Sequence, residues 1–439
     1  RTLSADTKGN KNVAVGNFSL STQNFTTATD VFNVGVGHGA GEGITTGVGN
    51  TLIGALAGDA LTDADFNVAI GKNALSTDTL GSFSTAVGIN ALETQNFTTA
   101  TQTYNTAIGA LAGGAVTTGV KNNILGGLAG DALTVGGENV AIGTSALTTD
   151  TKGSHTVAIG TGALETQNFT TATDANNTAV GHAAGNAVTT GIQNTLIGAL
   201  AGDALTDADY NVAVGVQALS SDTLGSQSVA IGNAALFTQN FTTATATYNT
   251  AVGQSAGYAV TTGIKNTLIG GLAGDALTDA DMNIVVGAEA LAIDTLGSGS
   301  VAIGRSSLET QNFTTATTTE NVAVGNQAGL SNLTGTAATF IGHYSGRFAT
   351  TADATTFVGA NAGRGITGTK LTGNNNTAIG TSAGLVLQGD ASGNTLVGSS
   401  AGVALTTGTN NVLIGYSAGS SSSVDLTTGS NNIVIGGNR

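Results

Sequence analysis

Short apolar runs recur along the chain at nearly constant intervals, and each run ends in glycine. The shared pattern is Asn-x-(Ala/Leu)-(Ile/Val)-Gly, as in NVAVG at 12–16, NTLIG at 50–54 and NVAIG at 67–71. A closing glycine preceded by Val, Ile or Leu occurs 24 times between Gly16 and Gly436, and the opening asparagine is present in 18 of these units. The first closing glycines stand at 16, 37, 54, 71 and 88, so one long, 21-residue unit is followed by three short, 17-residue units. This 72-residue super-repeat occurs four times up to Gly304, and beyond Gly325 the spacing is less regular.

This spacing predicts an all-β fold. A short unit with one brief strand and a glycine corner has no room for a strand, a helix and a turn, but it suits one coil of a parallel β-solenoid. The chain has no proline, as an unbroken parallel ladder requires. We therefore predict about 24 coils, with a regular shaft at 1–325 and a less regular continuation of the same solenoid at 326–439.

Alternation along each strand predicts a partner chain. The residue before the glycine is Val, Ile or Leu, and the residue before that one, on the opposite face, is apolar as well, as in Ala14, Leu52 and Leu196. We assign these alanines and leucines to the outward face. Because a strand that is apolar on both faces must be covered on both, we expect other chains to cover the outer one. The asparagine that opens the motif predicts a ladder in which side-chain amides bond one another between coils.

Composition narrows the function classes. The net charge is −15, with 12 Lys and Arg against 27 Asp and Glu and no basic cluster, so we expect no nucleic-acid binding. No apolar stretch is long enough to cross a bilayer, so we expect no membrane insertion in this segment. Cysteine is absent, which removes disulfides and thiolate metal sites. No cofactor is expected.

The repeat resembles two families of surface fibres. SVAIG at 228–232 and 300–304 and TVAIG at 156–160 resemble the head repeats of trimeric autotransporter adhesins. NTLIGALAGDAL is similar to the shaft repeats of phage tail fibres. The 17-residue unit is longer than the usual adhesin unit, which favours the phage tail fibres. The resemblance implies a left-handed β-roll, intertwined or packed as a homotrimer.

One octapeptide, TQNFTTAT, occupies every long unit of the regular part. Four residues added to a tight coil should bulge outward, and these loops should recur about every 19 Å, at about 4.8 Å per coil. Two interpretations stay open for the five phenylalanines that we name as loop contacts: each ring turns back as an apolar plug, or the rings form a ridge of ligand contacts. These residues are Phe25, Phe97, Phe169, Phe241 and Phe313.

Clustered aspartates are the candidate metal ligands. The sequence GDALTDADFN brings three aspartates close together, and two later copies repeat them. Such carboxylates could bind Ca²⁺, or they could be solvated turn residues. The copy at 131–137 keeps only the first of the three, which favours the second interpretation. The candidates are Asp59, Asp63, Asp65, Asp203, Asp207, Asp209, Asp275, Asp279 and Asp281.

We expect no enzyme. Four Gly-x-Ser-x-Gly matches coincide with the repeat, and the glutamates that recur beside the loops, Glu93 and Glu165, are replaced by Phe237 in the fourth copy. The predicted function is structural: an extracellular attachment fibre on a virion tail or a cell surface, with loops or a tip that bind a glycan or protein receptor. A bacterial adhesin head and the subunit of a homopolymeric filament remain alternatives.

Overall fold

The computed structural model describes residues 2–420 and 425–437, in two units, Arg1–Val216 and Gln217–Arg439. Within these residues there are β-strands and turns and no helix. Each unit is a parallel β-solenoid, so the predicted fold class is confirmed at that level. The sequence boundary at 325/326 marks a change in repeat regularity and stays a prediction.

In the first unit, twelve three-residue strands pair in parallel, each with the next one along the chain. Thr51 pairs with Val68, one short repeat away, and Val13 pairs with Val34, one long repeat away. The strands are Val13–Val15, Val34–Val36, Thr51–Ile53, Val68–Ile70, Thr85–Val87, Thr106–Ile108, Asn123–Leu125, Val140–Ile142, Val157–Ile159, Thr178–Val180, Thr195–Ile197 and Val212–Val214.

The described residues of the second unit also form twelve such strands, paired in the same way. Thr377 pairs with Thr395, so this repeat is one residue longer than the short, 17-residue unit. The strands are Val229–Ile231, Thr250–Val252, Thr267–Ile269, Ile284–Val286, Val301–Ile303, Val322–Val324, Thr339–Ile341, Thr356–Val358, Thr377–Ile379, Thr395–Val397, Val412–Ile414 and Ile433–Ile435.

The octapeptide coils add a second, two-residue strand that pairs in parallel with the coil before it. Gly81 pairs with Thr101, for example, and Ser82 with Gln102. The longer coil therefore gains backbone pairing as well as a loop. These strands are Gly9–Asn10, Thr29–Asp30, Gly81–Ser82, Thr101–Gln102, Gly153–Ser154 and Thr173–Asp174 in the first unit and Gly225–Ser226, Thr245–Ala246, Gly297–Ser298 and Thr317–Thr318 in the second.

The two faces of each strand are the reverse of those we predicted. The central residue points into the coil, and Leu52, Ala69 and Leu268 are fully buried there. The flanking Val, Ile and Thr residues face outward, so the assignment of alanines and leucines to the outer face is wrong. The reason is volume: so short a coil encloses a narrow interior, which small side chains and single leucines fill.

The motif asparagines form a ladder, but mainly between side chain and backbone. Oδ1 of Asn33 accepts the backbone N–H of Asn50 at 2.8 Å, and Oδ1 of Asn50 accepts that of Asn67 at 2.9 Å. Nδ2 of Asn50 crosses the coil to donate to the carbonyl of Ala64 at 2.8 Å and is 3.4 Å from Oδ1 of Asn33. Each buried asparagine therefore binds the next coil and also closes its own.

The glycine at each strand end stacks directly on the glycine of the next coil. Gly270 has φ +136°, and a Cβ placed on it would lie 2.6 Å from the carbonyl oxygen of Gly287. Both the positive φ and the close approach exclude a side chain here. Gly271, its neighbour, has no such φ, and a Cβ on it would have no heavy atom within 4 Å.

These adjacent glycines provide a matched test. Gly270→Ala should destabilise the protein by about 2 kcal/mol or more, because alanine adds left-handed strain to a steric clash. Gly271→Ala should change stability by less than about 1 kcal/mol. Thermal unfolding followed by circular dichroism measures both. Similar melting temperatures for the two variants would contradict the stacked corner.

Candidate functional site

The octapeptide rings do not protrude. Phe25, Phe97, Phe169, Phe241 and Phe313 are only 5–7% exposed. The interpretation that they form a contact ridge is therefore wrong, and the alternative of an apolar plug describes them. What remains exposed at the loop tips is threonine and alanine, as in Thr98, Thr99 and Ala100.

The octapeptide glutamine enters the coil and forms a buried polar network. Gln167 is fully buried. Its Nε2 donates to Oδ2 of Asp150 in the coil before at 2.6 Å, and its Oε1 accepts from Nδ2 of Asn177 at 2.9 Å. Oδ1 of Asp150 accepts the backbone N–H groups of Gly153 at 3.0 Å and Phe169 at 3.2 Å. The loop is thereby tied to two coils at once.

The same network occurs in all five copies. The Gln-to-Asp distance is 2.5–2.6 Å in each. The first copy is the least buried: burial opposes ionisation of Asp6, but hydrogen bonds from Gln23 and from the N–H groups of Gly9, Lys8 and Phe25 outweigh it and lower the pKa of its carboxyl. The pairs are Asp6–Gln23, Asp78–Gln95, Asp150–Gln167, Asp222–Gln239 and Asp294–Gln311.

Sequence reasoning missed these aspartates. Their signal is Asp-Thr-x-Gly, present as DTKG at 6–9 and 150–153 and as DTLG at 78–81, 222–225 and 294–297, at the same 72-residue interval as the octapeptide. Two segments that repeat in step are candidates for contact. A search for such paired signals would have connected them.

The clustered aspartates do not converge on one point. Oδ1 of Asp63 accepts from Oγ1 of Thr46 at 2.6 Å, and Oδ1 of Asp65 accepts from the N–H of Val48 at 2.8 Å. Oδ1 of Asp59 is buried without a donor, as are the equivalent atoms of Asp203 and Asp275. In the described part of the chain no three His, Asp or Glu side chains are grouped as a metal site. The hydrogen bonds of Asp63 and Asp65 to the preceding coil therefore favour the interpretation of these aspartates as turn residues.

An exposed column of large side chains in the first unit stands just before the position that opens each strand motif, which is asparagine in most coils but Ser84 after Phe83 and Thr156 after His155. The rings of Phe66 and Phe83 stack at 5.3 Å, and those of Phe83 and Tyr104 at 5.5 Å. The three residues have positive φ and are 53%, 36% and 50% exposed. Farther along, Lys121 and His155 each contact Glu138, at 2.8 and 3.3 Å. The residue before the opening position of each motif was the sequence signal for this column.

The outer face of the strands is the largest shared feature of both units. The residue before each corner glycine is Val, Ile or Leu in every coil and points outward. Ile53, Ile108 and Ile197 in the first unit are 38–42% exposed, and Ile269 and Ile341 in the second are both 39% exposed. Each unit thus presents an apolar row with valine or threonine beside it.

The chain matches no known protein family and no curated protein. Within the described residues, no helix is long and apolar enough to cross a membrane.

The buried network predicts a large effect for the octapeptide glutamine. Gln167→Leu should destabilise the protein by about 2–4 kcal/mol, because it leaves the Asp150 carboxylate and the Asn177 amide with unmet hydrogen bonds inside the coil. The control is Thr170→Ala, an exposed residue of the same octapeptide, which should change stability by less than about 0.5 kcal/mol. Denaturant unfolding followed by circular dichroism gives both values. Equal effects would show that the loop is held by its backbone alone.

The buried carboxyl of Asp203 predicts a pH dependence. Burial raises the pKa of this carboxyl above its ordinary value. The folded state therefore favours the neutral form, and the contribution of Asp203 to stability is fully present below the unfolded-state pKa of about 3.9 and is lost as pH rises through the folded-state pKa. Asp203→Asn should raise the melting temperature at pH 7 and have little effect near pH 3.

Asp131→Asn is the matched control. Asp131 lies at the equivalent position, but its Oδ1 accepts a hydrogen bond from Oγ1 of Thr148. Its replacement should give no comparable gain at pH 7. An equal gain in the two variants, or a gain for Asp203→Asn that persists at pH 3, would contradict the role of burial.

Proposed function

We propose that this chain forms the shaft of an extracellular attachment fibre, as a homotrimer whose role is mechanical and non-catalytic. The observation that carries the proposal is the continuous apolar outer face of each unit. The resemblance of its repeats makes a phage tail fibre the first candidate for the kind of fibre and a bacterial adhesin head the second. The left-handed sense of the roll and the number of three chains come from the same resemblance.

The outer face supports assembly because its apolar residues recur in every coil and stay partly exposed in one chain. Each coil encloses its own alanines and leucines, so the outward Val and Ile residues add nothing to the interior. Exposed apolar side chains that repeat in adjacent coils are typical of a protein interface. Its repetition in every coil suits a partner with the same period, and a second copy of the chain has that period.

The ladders support a mechanical role. In each unit, backbone hydrogen bonds and asparagine side chains run from coil to coil. A load along such a stack is shared among many bonds. The exposed threonines at the loop tips, rather than the buried phenylalanines, are then the repeated surface offered to a receptor, where weak contacts gain by multivalency.

The outer face can be tested with charges. Ile53→Glu, Ile108→Glu and Ile197→Glu, combined in one variant, should dissociate the assembly, because three charges per chain would be buried at the interface without partners. Sedimentation velocity should show a trimer for the unaltered chain and a species of one-third the mass for the variant.

The control adds the same charges at the loop tips, as Thr26→Glu, Thr98→Glu and Thr170→Glu, and should stay trimeric. A monomeric unaltered chain would contradict the proposal. A dimer would show that two chains, and not three, form the assembly. Open-ended polymers would favour the alternative of a homopolymeric filament. Circular dichroism confirms that both variants are folded.

A further inference from the structure

The charge of the chain is inverted in one part of the second unit. Residues 321–420 contain three basic residues, Arg347, Arg364 and Lys370, and two acidic ones, Asp353 and Asp390, in a chain of net charge −15. Both arginines stand five residues after a repeat glycine. In six coils of the first unit that position is acidic, as Glu42, Asp59, Glu93, Asp131, Glu165 and Asp203.

The two arginines lie side by side on consecutive coils. Phe340 pairs with Phe357 in the strands before them, and the N–H of Phe348 donates to the carbonyl of Arg364 at 2.9 Å. Equivalent positions on paired strands are about 4.8 Å apart. The backbones of Arg347 and Arg364 are therefore neighbours, and two guanidiniums carried on neighbouring coils favour an anion between or beside them.

In the described part of the chain, no carboxylate forms an ion pair with either arginine. Asp353 accepts instead from the N–H of Thr336 at 2.8 Å, and Asp390 from Oγ1 of Thr372 at 2.9 Å. The Nε of each arginine is buried and has no acceptor among the described residues. The outer nitrogens of the two guanidiniums also have no hydrogen-bond acceptor among the described residues, so these nitrogens are the donors left for an external anion.

Aromatic rings hold the first arginine in place. The guanidinium carbon of Arg347 lies 4.5 Å from the ring centre of Tyr344 and 5.0 Å from that of Phe348. Such contacts orient the guanidinium without consuming its hydrogen-bond donors. Lys370 adds a third cation nearby, because the N–H of its neighbour Leu371 donates to the carbonyl of Phe348 at 3.0 Å.

We propose that Arg347 and Arg364, with Lys370, bind a carboxylate, sulfate or phosphate group on an acidic polysaccharide. Paired guanidiniums match the two or three oxygens of such a group. Two coils provide room for one anionic group, and the acidic character of the rest of the chain disfavours a dense polyanion such as duplex DNA. The choice of a polysaccharide rests on the proposed attachment function.

Calorimetric titration of the full chain tests this site. The probes are alginate as a polyuronate, neutral dextran, and free glucuronate, sulfate and phosphate. Alginate should bind in low salt and dextran should not, and the three free anions should show which group is preferred. The double variant Arg347→Gln, Arg364→Gln should bind alginate at least about tenfold more weakly. Arg305→Gln, which removes an exposed arginine elsewhere in the second unit, should bind as the unaltered chain does.

Four other outcomes would contradict the site. Equal alginate binding by the unaltered chain and the double variant, or no binding of any anionic probe, shows that the arginines do not form an anion site. Tighter, arginine-dependent binding of duplex DNA would identify a nucleic-acid ligand instead. A change in sedimenting mass in the double variant would show that the arginines pair with a second copy. A trimeric chain that does not bind alginate would contradict the anion site but not the proposed trimer. A monomeric chain that binds alginate would contradict the trimer but not the anion site.

Discussion

Every coil of this protein depends on the coil beside it. A three-residue strand has no stability by itself, so its backbone groups must be satisfied by an equivalent strand at matching height. Corner glycines allow that approach, since each one lies where a side chain would meet the glycine of the next coil. Buried asparagines then fix the height, because their Oδ1 atoms accept the N–H of the residue at the same place in the next coil, as Asn33 accepts that of Asn50 and Asn67 that of Ser84. The strict spacing of the sequence is the consequence.

The octapeptide serves the same constraint. Four added residues would disturb the stacking if they were free, and the structure ties them down with a buried glutamine and a buried phenylalanine. The glutamine joins an aspartate of the preceding coil to a ladder asparagine of its own coil, as Gln95 joins Asp78 and Asn105. A segment that looks like a repeated ligand contact is therefore chiefly an internal clamp. Surface chemistry is left to the threonine tips, the exposed ring column and the two adjacent arginines.

The architecture could be predicted from the sequence, but the direction of side chains could not. Motif spacing located the strands and their parallel pairing, because period and glycine corners depend on local geometry. Alternation separates two faces without saying which is inner, and Leu52 and Ile53 are equally apolar. The narrow interior decides between them, and that is a property of the closed coil. Phe97 was misplaced for a related reason: an insertion in sequence need not project in space when a partner such as Asp78 lies beneath it.

Thiol labelling tests the central claim most directly, namely that one chain closes its own core and leaves the outer Val and Ile residues for another chain to cover. The chain has no cysteine, so a single one can be placed at Leu196, Ile197 or Thr170. In the native assembly we predict slow maleimide reaction at 196 and 197 and fast reaction at 170. If the cysteine at 197 reacts as fast as the one at 170, the outer face is open to water and the account of a multi-chain fibre fails.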